Sequence, residues 1–358
     1  MQAGSDLYGS DGSESDDINE VEPSQRHPRK MRQSPSNQMN DSNADFNADA
    51  ASSLSSSVMS GVLHGVVWVV LALNLPYIAS HPDVARRTYQ KALYKYDPAI
   101  SLFDNTVWTY GTDYALAIIT AGFAVWILHT SNRSSRDDHK PLARASAWML
   151  VLYAISVGVA GLLHQFYLTV ESRNSLAFRL LWTIVPSSVY GAVIPMGIIG
   201  NECLRIFQSR PSCSPLLKSM PCLTNTYWTF YGAIGMIACA LGYMSFQRPA
   251  CDIFAAGCTQ TPPTFYCMAF LYLVEHPGIS KSMRILGLFG FISNAVLLPL
   301  YPFLVDTLGW SLGVTNFAMH SNLCVAWSLQ GLILQRIVRA LVEETRGEPE
   351  QLQTKKVQ

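Results

Sequence analysis

Three ionisable side chains, Asp113, His164 and His320, lie inside long apolar stretches of this 358-residue chain. Ionisable groups at membrane depth are costly to bury, and they therefore mark candidate functional sites. One carboxylate and two imidazoles gathered at one level could hold Zn²⁺, with water completing the coordination. The same set could instead form a hydrogen-bonded triad in which Asp113 orients an imidazole.

The last apolar stretch carries the clearest polar pattern. Asn316, His320, Cys324 and Trp327 are spaced i, i+4, i+8 and i+11, so they share one face of a helix. We expect this face to point into a helix bundle, because lipid would leave its amide and imidazole groups without partners. Asn316 lies one turn before His320 and could fix the orientation of its ring.

The elements that position these residues are predicted to be membrane helices. Only 14% of the chain is charged, against ~25% in soluble domains. Residues 1–55 are polar and are predicted to be a disordered tail. Residues 56–334 contain apolar runs long enough to cross a bilayer, and residues 335–358 form a second polar tail. The composition predicts an all-α, polytopic transmembrane helix bundle with the lipid bilayer as its main partner, and gives no reason to propose nucleic acid.

Seven core spans are predicted and are lettered in chain order. They are A (106–129), B (146–169), C (180–201), D (227–246), E (262–278), F (285–306) and G (311–334). An eighth apolar segment, 58–79, precedes them. Its length favours an additional N-terminal span, although it could instead lie in the membrane interface.

Basic residues alternate between the connecting segments and so predict the orientation. They concentrate after spans A, C, E and G, at Arg133, Arg136, Lys140, Arg144, Arg205, Arg210, Lys218, Lys281, Arg284, Arg336 and Arg339. This places the C-terminus in the cytoplasm and the start of span A on the far side. Cys251 and Cys258 then fall in a far-side D–E loop, where either a disulfide or two free thiols would fit.

The orientation also places the ionisable residues in one half of the bilayer. At the rise of an α-helix, Asp113, His164 and His320 lie about 10, 8 and 14 Å below the far-side surface. Ser187 and Ser188 of span C lie at similar depth. Hydrogen bonds between helices are an equally valid role for such residues.

The seven spans, the cytoplasmic C-terminus and the membrane-level Asp and His residues resemble the CREST superfamily of membrane hydrolases. Alkaline ceramidases and adiponectin/progestin receptors belong to this group. The resemblance implies that His164 and His320 are zinc ligands, that Asp113 orients a zinc-bound water or completes the ligand set, and that Ser187 or Ser188 is an accessory. Where that family carries a second histidine in its late span, this chain has Asn316. The resemblance therefore implies a divergent CREST-like lipid hydrolase, with or without catalysis, or a chain outside the family.

Two other classes stay open. The polar residues could form the ligand or proton site of a membrane receptor or transporter, or the bundle could be a scaffold without enzymatic activity. Prolines in spans C and F hint at the paired broken helices of transporters. Span G has no lysine for a retinal Schiff base, and the chain has no nucleotide-binding loop and no HExxH motif. The substrate or ligand would be a lipid or another small molecule.

Overall fold

The computed structural model describes residues 105–134, 137–211, 213–245 and 249–357, together with residues 61, 62, 64–66 and 69. These residues belong to one compact unit, and no strand occurs among them. The helices are α1 (Val107–Ser131), α2 (Lys140–Phe166), α3 (Val170–Asn174), α4 (Leu176–Gly191), α5 (Val193–Phe207), α6 (Pro215–Ser219), α7 (Asn225–Ser245), α8 (Pro249–Leu273), α9 (Lys281–Pro302) and α10 (Leu312–Val357). A π-helical turn, Phe303–Thr307, follows α9.

Four helical stretches of the described chain are long and apolar enough to cross a membrane. They are α1, α2, the consecutive helices α4 and α5 (Leu176–Phe207), and residues Gly313–Glu344 of α10. They correspond to predicted spans A, B, C and G, and they identify the chain as an integral membrane protein. The predicted tail 1–55 and most of the segment 58–79 lie outside the described residues.

The helices pack with α1 between α2 and α10, and with α9 on α10. Helix α2 also packs on α4 and α5, and α8 contacts α4, α5 and α9. Glycines permit the closest approaches. A Cβ on Gly331 of α10 would lie 2.5 Å from the ring of Phe123 in α1, and one on Gly197 of α5 would lie 2.0 Å from Trp228 in α7. These two glycines therefore set the spacing of helix pairs on which the bundle depends.

Helix α8 differs from the predicted span E and contains two consecutive prolines, Pro262 and Pro263. Proline has no N–H, so the carbonyl four residues earlier loses its usual donor. For Pro263 that carbonyl belongs to Thr259, and the buried hydroxyl of Tyr231 donates to it at 2.9 Å. Gln260 donates in turn to the Val189 carbonyl at 2.6 Å, close to the break between α4 and α5. The proline-containing part of α8 therefore packs next to the break between α4 and α5.

The position of α8 also corrects the prediction for two cysteines. Cys251 and Cys258 lie within this helix instead of in a loop. Seven residues of α-helix separate their Cα atoms by about 10 Å, since the rise is 1.5 Å per residue. A disulfide requires a Cα separation below about 7 Å. The helical backbone therefore excludes a bridge between Cys251 and Cys258.

Several connecting segments meet at one end of the bundle. Arg205, at the end of α5, donates to the backbone carbonyl of Asp138 in the α1–α2 loop. Arg210, after α5, binds Glu344 near the end of the described apolar part of α10, and His276 in the α8–α9 loop contacts the same carboxylate. These segments are the ones whose basic residues predicted a common side. The polar residues 335–357 continue α10 as helix.

Candidate functional site

Helix α1 buries several polar residues and exposes part of its apolar surface. Thr109 and Asp113 are 0% and 2% exposed, whereas Ile118 and Val125 are 72% and 68% exposed. Lipid solvates exposed apolar side chains, but it offers no hydrogen bonds to a carboxylate or hydroxyl. The inward face of α1 therefore needs polar partners from neighbouring helices, and α10 provides them.

Asp113 and His320 form the centre of the site. Asp113 Oδ1 lies 3.2 Å from His320 Nδ1 and joins α1 to α10. Their side chains are 3% and 20% exposed. Thr112 Oγ1 also lies 3.2 Å from His320 Nδ1, and the Thr109 carbonyl oxygen lies 3.4 Å from the same nitrogen. Three oxygens of α1 thus converge on one ring nitrogen of α10.

These contacts show which nitrogen of the His320 ring carries the hydrogen. A carbonyl oxygen and a carboxylate can only accept hydrogen bonds. The Thr112 hydroxyl contacts the carbonyl oxygens of Trp108 and Thr109 at 2.7 and 2.9 Å, so its hydrogen is directed to the α1 backbone. His320 Nδ1 therefore carries a hydrogen and donates it to this oxygen cluster, and in the neutral ring the lone pair lies on Nε2.

Helix α2 closes the side of the site next to Asp113. A Cβ on Gly161 would lie 3.1 Å from Asp113 Cβ and 2.9 Å from a ring carbon of Tyr114, so only glycine allows this approach. The Tyr114 hydroxyl donates to Gln165 at 2.6 Å and so links α1 to α2 a second time. Asp113 is thereby held between α2 and α10.

The predicted polar face of α10 does point into the bundle. Asn316 is 8% exposed, one turn before His320. One turn after it, the Cys324 thiol lies 3.8 Å from the Thr112 carbonyl oxygen, at the limit of a weak sulfur hydrogen bond. The ring of Trp327 then packs on Tyr153 of α2 with a centroid distance of 3.7 Å. The four residues at helical spacing thus all lie along α10 where it meets its neighbours.

His164 lies in a different environment from the Asp113–His320 pair. Its backbone carbonyl accepts a hydrogen bond from Asn105, and its ring meets Trp182 of α4 edge-on with a centroid distance of 6.3 Å. Within the described residues, no group of three or more His, Cys, Asp and Glu side chains could hold a metal ion. Asp113, His164 and His320 therefore do not come together as the predicted zinc ligands, although Asp113 and His320 are in contact.

Ser187 and Ser188 lie in α4, which packs on α2, α7 and α8. Ser188 is 7% exposed, and its backbone carbonyl accepts the N–H of Ala192 at the break between α4 and α5. In the described part of the chain, neither hydroxyl is hydrogen-bonded to Asp113 or His320. The structure therefore does not bring the two predicted accessory serines to the Asp113–His320 pair.

Sequence reasoning missed the contribution of Thr112. Thr109, Thr112 and Asp113 lie within about one turn of helix, and an i, i+3, i+4 spacing puts them on one face. That spacing was a usable signal, but it does not say which helix supplies the partner. His276 and Glu344, 68 residues apart, also meet at 3.3 Å, and nothing local in the sequence indicates that contact.

No family model, no curated protein and no solved structure matches this chain. The CREST resemblance therefore stays a prediction.

Proposed function

We propose that this chain is a polytopic membrane protein of the receptor or transporter class, in which Asp113 and His320 form a proton-binding site that holds α10 against α1. The observation that supports this proposal is the 3.2 Å contact between Asp113 Oδ1 and His320 Nδ1 with both side chains largely buried. Asp and His residues inside membrane bundles are the usual carriers of protons in pumps and transporters. Once His320 is an imidazolium, a further proton on Asp113 removes the negative charge of the carboxylate, and with it the attraction between the two side chains.

The alternative of a hydrolase receives less support from the same geometry. In a nucleophile–histidine–carboxylate triad, the hydroxyl and the carboxylate lie on opposite ring nitrogens. Here the Thr112 hydroxyl and the Asp113 carboxylate both meet His320 Nδ1. A catalytic zinc site uses three protein ligands, and the described residues contain no such group. The pair is better suited to binding a proton than to activating a nucleophile.

The orientation of the bundle is part of this proposal. Seven spans would place the joined ends around Asp138, Arg210, His276 and Glu344 in the cytoplasm, where basic residues are favoured. The site would then lie in the half of the bilayer away from the cytoplasm. Asp137→Cys introduces a thiol at an exposed position. An impermeant maleimide added to intact cells should label this variant no more than it labels wild type. Efficient labelling from outside would reverse the orientation.

Proton binding can be measured as charge movement. Protein reconstituted into liposomes is adsorbed to a solid-supported membrane and exposed to a rapid drop in pH. The wild type should give a transient charge displacement, because the proton enters a site inside the membrane field. Asp113→Asn should abolish most of this signal, since the amide cannot take up the proton. Full wild-type charge displacement in Asp113→Asn would contradict the proposal.

Asp137→Asn provides the matched control. Asp137 lies in the α1–α2 loop with its side chain 80% exposed. Its hydrogen bond with the Lys140 ammonium holds the pKa of this carboxyl below its usual range. Because the group lies outside the apolar helices, its loss should leave the charge displacement unchanged. An equal loss in both variants would indicate a general effect on the protein.

A further inference from the structure

A second carboxylate–histidine contact of α10 lies at the opposite end of the bundle. Glu344 accepts hydrogen bonds from both terminal nitrogens of Arg210, at 3.2 and 2.8 Å. His276 Nε2 lies 3.3 Å from Glu344 Oε2. One carboxylate therefore joins α10 to the segment after α5 and to the α8–α9 loop. We name Glu344, Arg210 and His276 the Glu344 clamp.

The clamp is organised by its neighbours. His276 Nδ1 accepts the N–H of Gly278 at 3.0 Å, so in the neutral ring Nε2 carries the hydrogen that points at Glu344. The His276 side chain is 7% exposed. The Gly278 carbonyl accepts in turn from Arg336 Nε of α10 at 2.9 Å. Helix α10 thus holds the α8–α9 loop at two points, eight residues apart.

Arg210 is also fixed by an aromatic contact. Its guanidinium lies 4.8 Å from the ring centroid of Phe207, within the range of a cation–π interaction. The same ring meets His276 edge-on with a centroid distance of 6.3 Å. Two parallel N–H donors on one carboxylate are stronger and more directional than a single contact. This network differs from an isolated surface ion pair, which contributes little.

Helix α10 connects the clamp to the Asp113–His320 pair. Both His320 and Glu344 lie in the helix Leu312–Val357, 24 residues apart, which is about 36 Å along the axis. A carboxylate–histidine contact therefore lies near each end of the apolar part of this helix. We call the end with the Asp113–His320 contact the outer end and the end with the Glu344 clamp the inner end. The outer contact joins α10 to one helix, whereas the inner one joins it to two loops through three hydrogen bonds. The clamp therefore ties α10 to more segments of the chain than the Asp113–His320 contact does.

We propose that the Glu344 clamp is the fixed pivot of α10. When the Asp113–His320 contact opens, the outer part of α10 moves away from α1 while its inner part stays bound to the two loops. A rigid helix held at one end swings about that end and does not slide along its axis. This inference rests on the proposed function, because it concerns the helix motion that the opening of the proton-binding pair permits.

Hydrogen exchange measured by mass spectrometry on the full chain in lipid nanodiscs tests the pivot. The variants are Asp113→Asn, Glu344→Gln and both together. Glu343→Gln is the control, because this exposed neighbour forms an i, i+4 ion pair with Arg339 on the helix surface. The two reporter segments are 312–320, at the outer end of α10, and 274–282, which includes the clamped loop.

Asp113→Asn should speed exchange in residues 312–320 on the order of tenfold and leave residues 274–282 unchanged. Glu344→Gln should give the reverse pattern, and Glu343→Gln should resemble wild type. Matching acceleration of both segments by Asp113→Asn would overturn the pivot, because the two ends would then move together. So would a Glu344→Gln variant whose clamped loop exchanges as slowly as wild type.

The two proposals fail in different ways. If Asp113→Asn leaves residues 312–320 as protected as wild type, the pair does not hold α10 and the proposed function fails at its first step. The effect of Glu344→Gln on residues 274–282 would still report on the clamp. If only that effect is missing, the clamp is wrong and the proton-binding site stands.

Discussion

Replacement of Gly197 by alanine should destabilise the protein because it forces α5 away from α7. The new Cβ would lie 2.0 Å from Cγ of Trp228 and 2.3 Å from both Cδ atoms. Ordinary carbon–carbon contacts are about 3.5–4.0 Å, so the indole or the helix must move by roughly 1.5 Å. The indole has no room for that movement, since Trp228 is 0% exposed and contacts the rings of Tyr231 and Tyr266.

The magnitude of the destabilisation depends on two opposing effects. Overpacking a dense core costs ~1–3 kcal/mol and occasionally more. Alanine gains back up to ~1 kcal/mol over glycine through its helix propensity. Because this clash is severe and involves a ring, we expect a net loss of ~2 kcal/mol, which lowers the melting temperature by about 3 °C at this chain length.

The assay is thermal unfolding in detergent, followed by far-UV circular dichroism at one scan rate. Gly122→Ala is the control, because a Cβ there meets nothing within 4 Å and its helix, α1, is as apolar as the α4–α5 stretch. The control should melt within about a degree of wild type or slightly above it. Equal melting temperatures for Gly197→Ala and Gly122→Ala would refute the close packing of α5 on Trp228.

Three further substitutions or measurements test other parts of the structure. Gly161→Ala should push Asp113 away from α2 and reduce the pH-driven charge displacement, with little change in α-helix content by circular dichroism. Tyr231→Phe should lower the free energy of unfolding by ~1–3 kcal/mol in a denaturant titration, because the Thr259 carbonyl loses its donor inside the bundle. Elemental analysis should find the same substoichiometric zinc in wild type and His320→Ala; one zinc per chain, lost in the variant, would restore the hydrolase interpretation.

Apolar length and helical spacing were enough to locate spans A, B, C and G, because lipid imposes a simple requirement on each helix. The inward face of α10 could be predicted from the same physics, since Asn316 and His320 could not face hydrocarbon without partners. Depth arithmetic also placed Asp113 and His320 at matching levels, and the structure brings them into contact.

Depth does not determine the direction in which a side chain points, so it could not show whether His164 would join this pair. His164 lies near the same level, but its ring meets the Trp182 ring of α4. The rotation of α2 about its axis decides this, and that rotation is set by packing such as Gly161 against Asp113. Neither neighbour is apparent from one sequence.

The limits of span E have a different cause. The predicted span E starts at residue 262, whereas α8 begins at Pro249. The helix continues through Pro262 and Pro263 because Tyr231 supplies a hydrogen bond to the Thr259 carbonyl from another helix. Rescue of this kind is a tertiary effect that local propensity cannot predict.

The most direct test of the central claim is the contact between Asp113 and His320 itself. Magic-angle-spinning NMR on protein labelled with ¹³C-aspartate and ¹⁵N-histidine in lipid should show a through-space correlation between the Asp113 carboxyl carbon and a protonated His320 Nδ1. The correlation should disappear in Asp113→Asn. If the wild type shows no such correlation, or if Asp113 correlates with His164 instead, the proposed Asp113–His320 site is wrong.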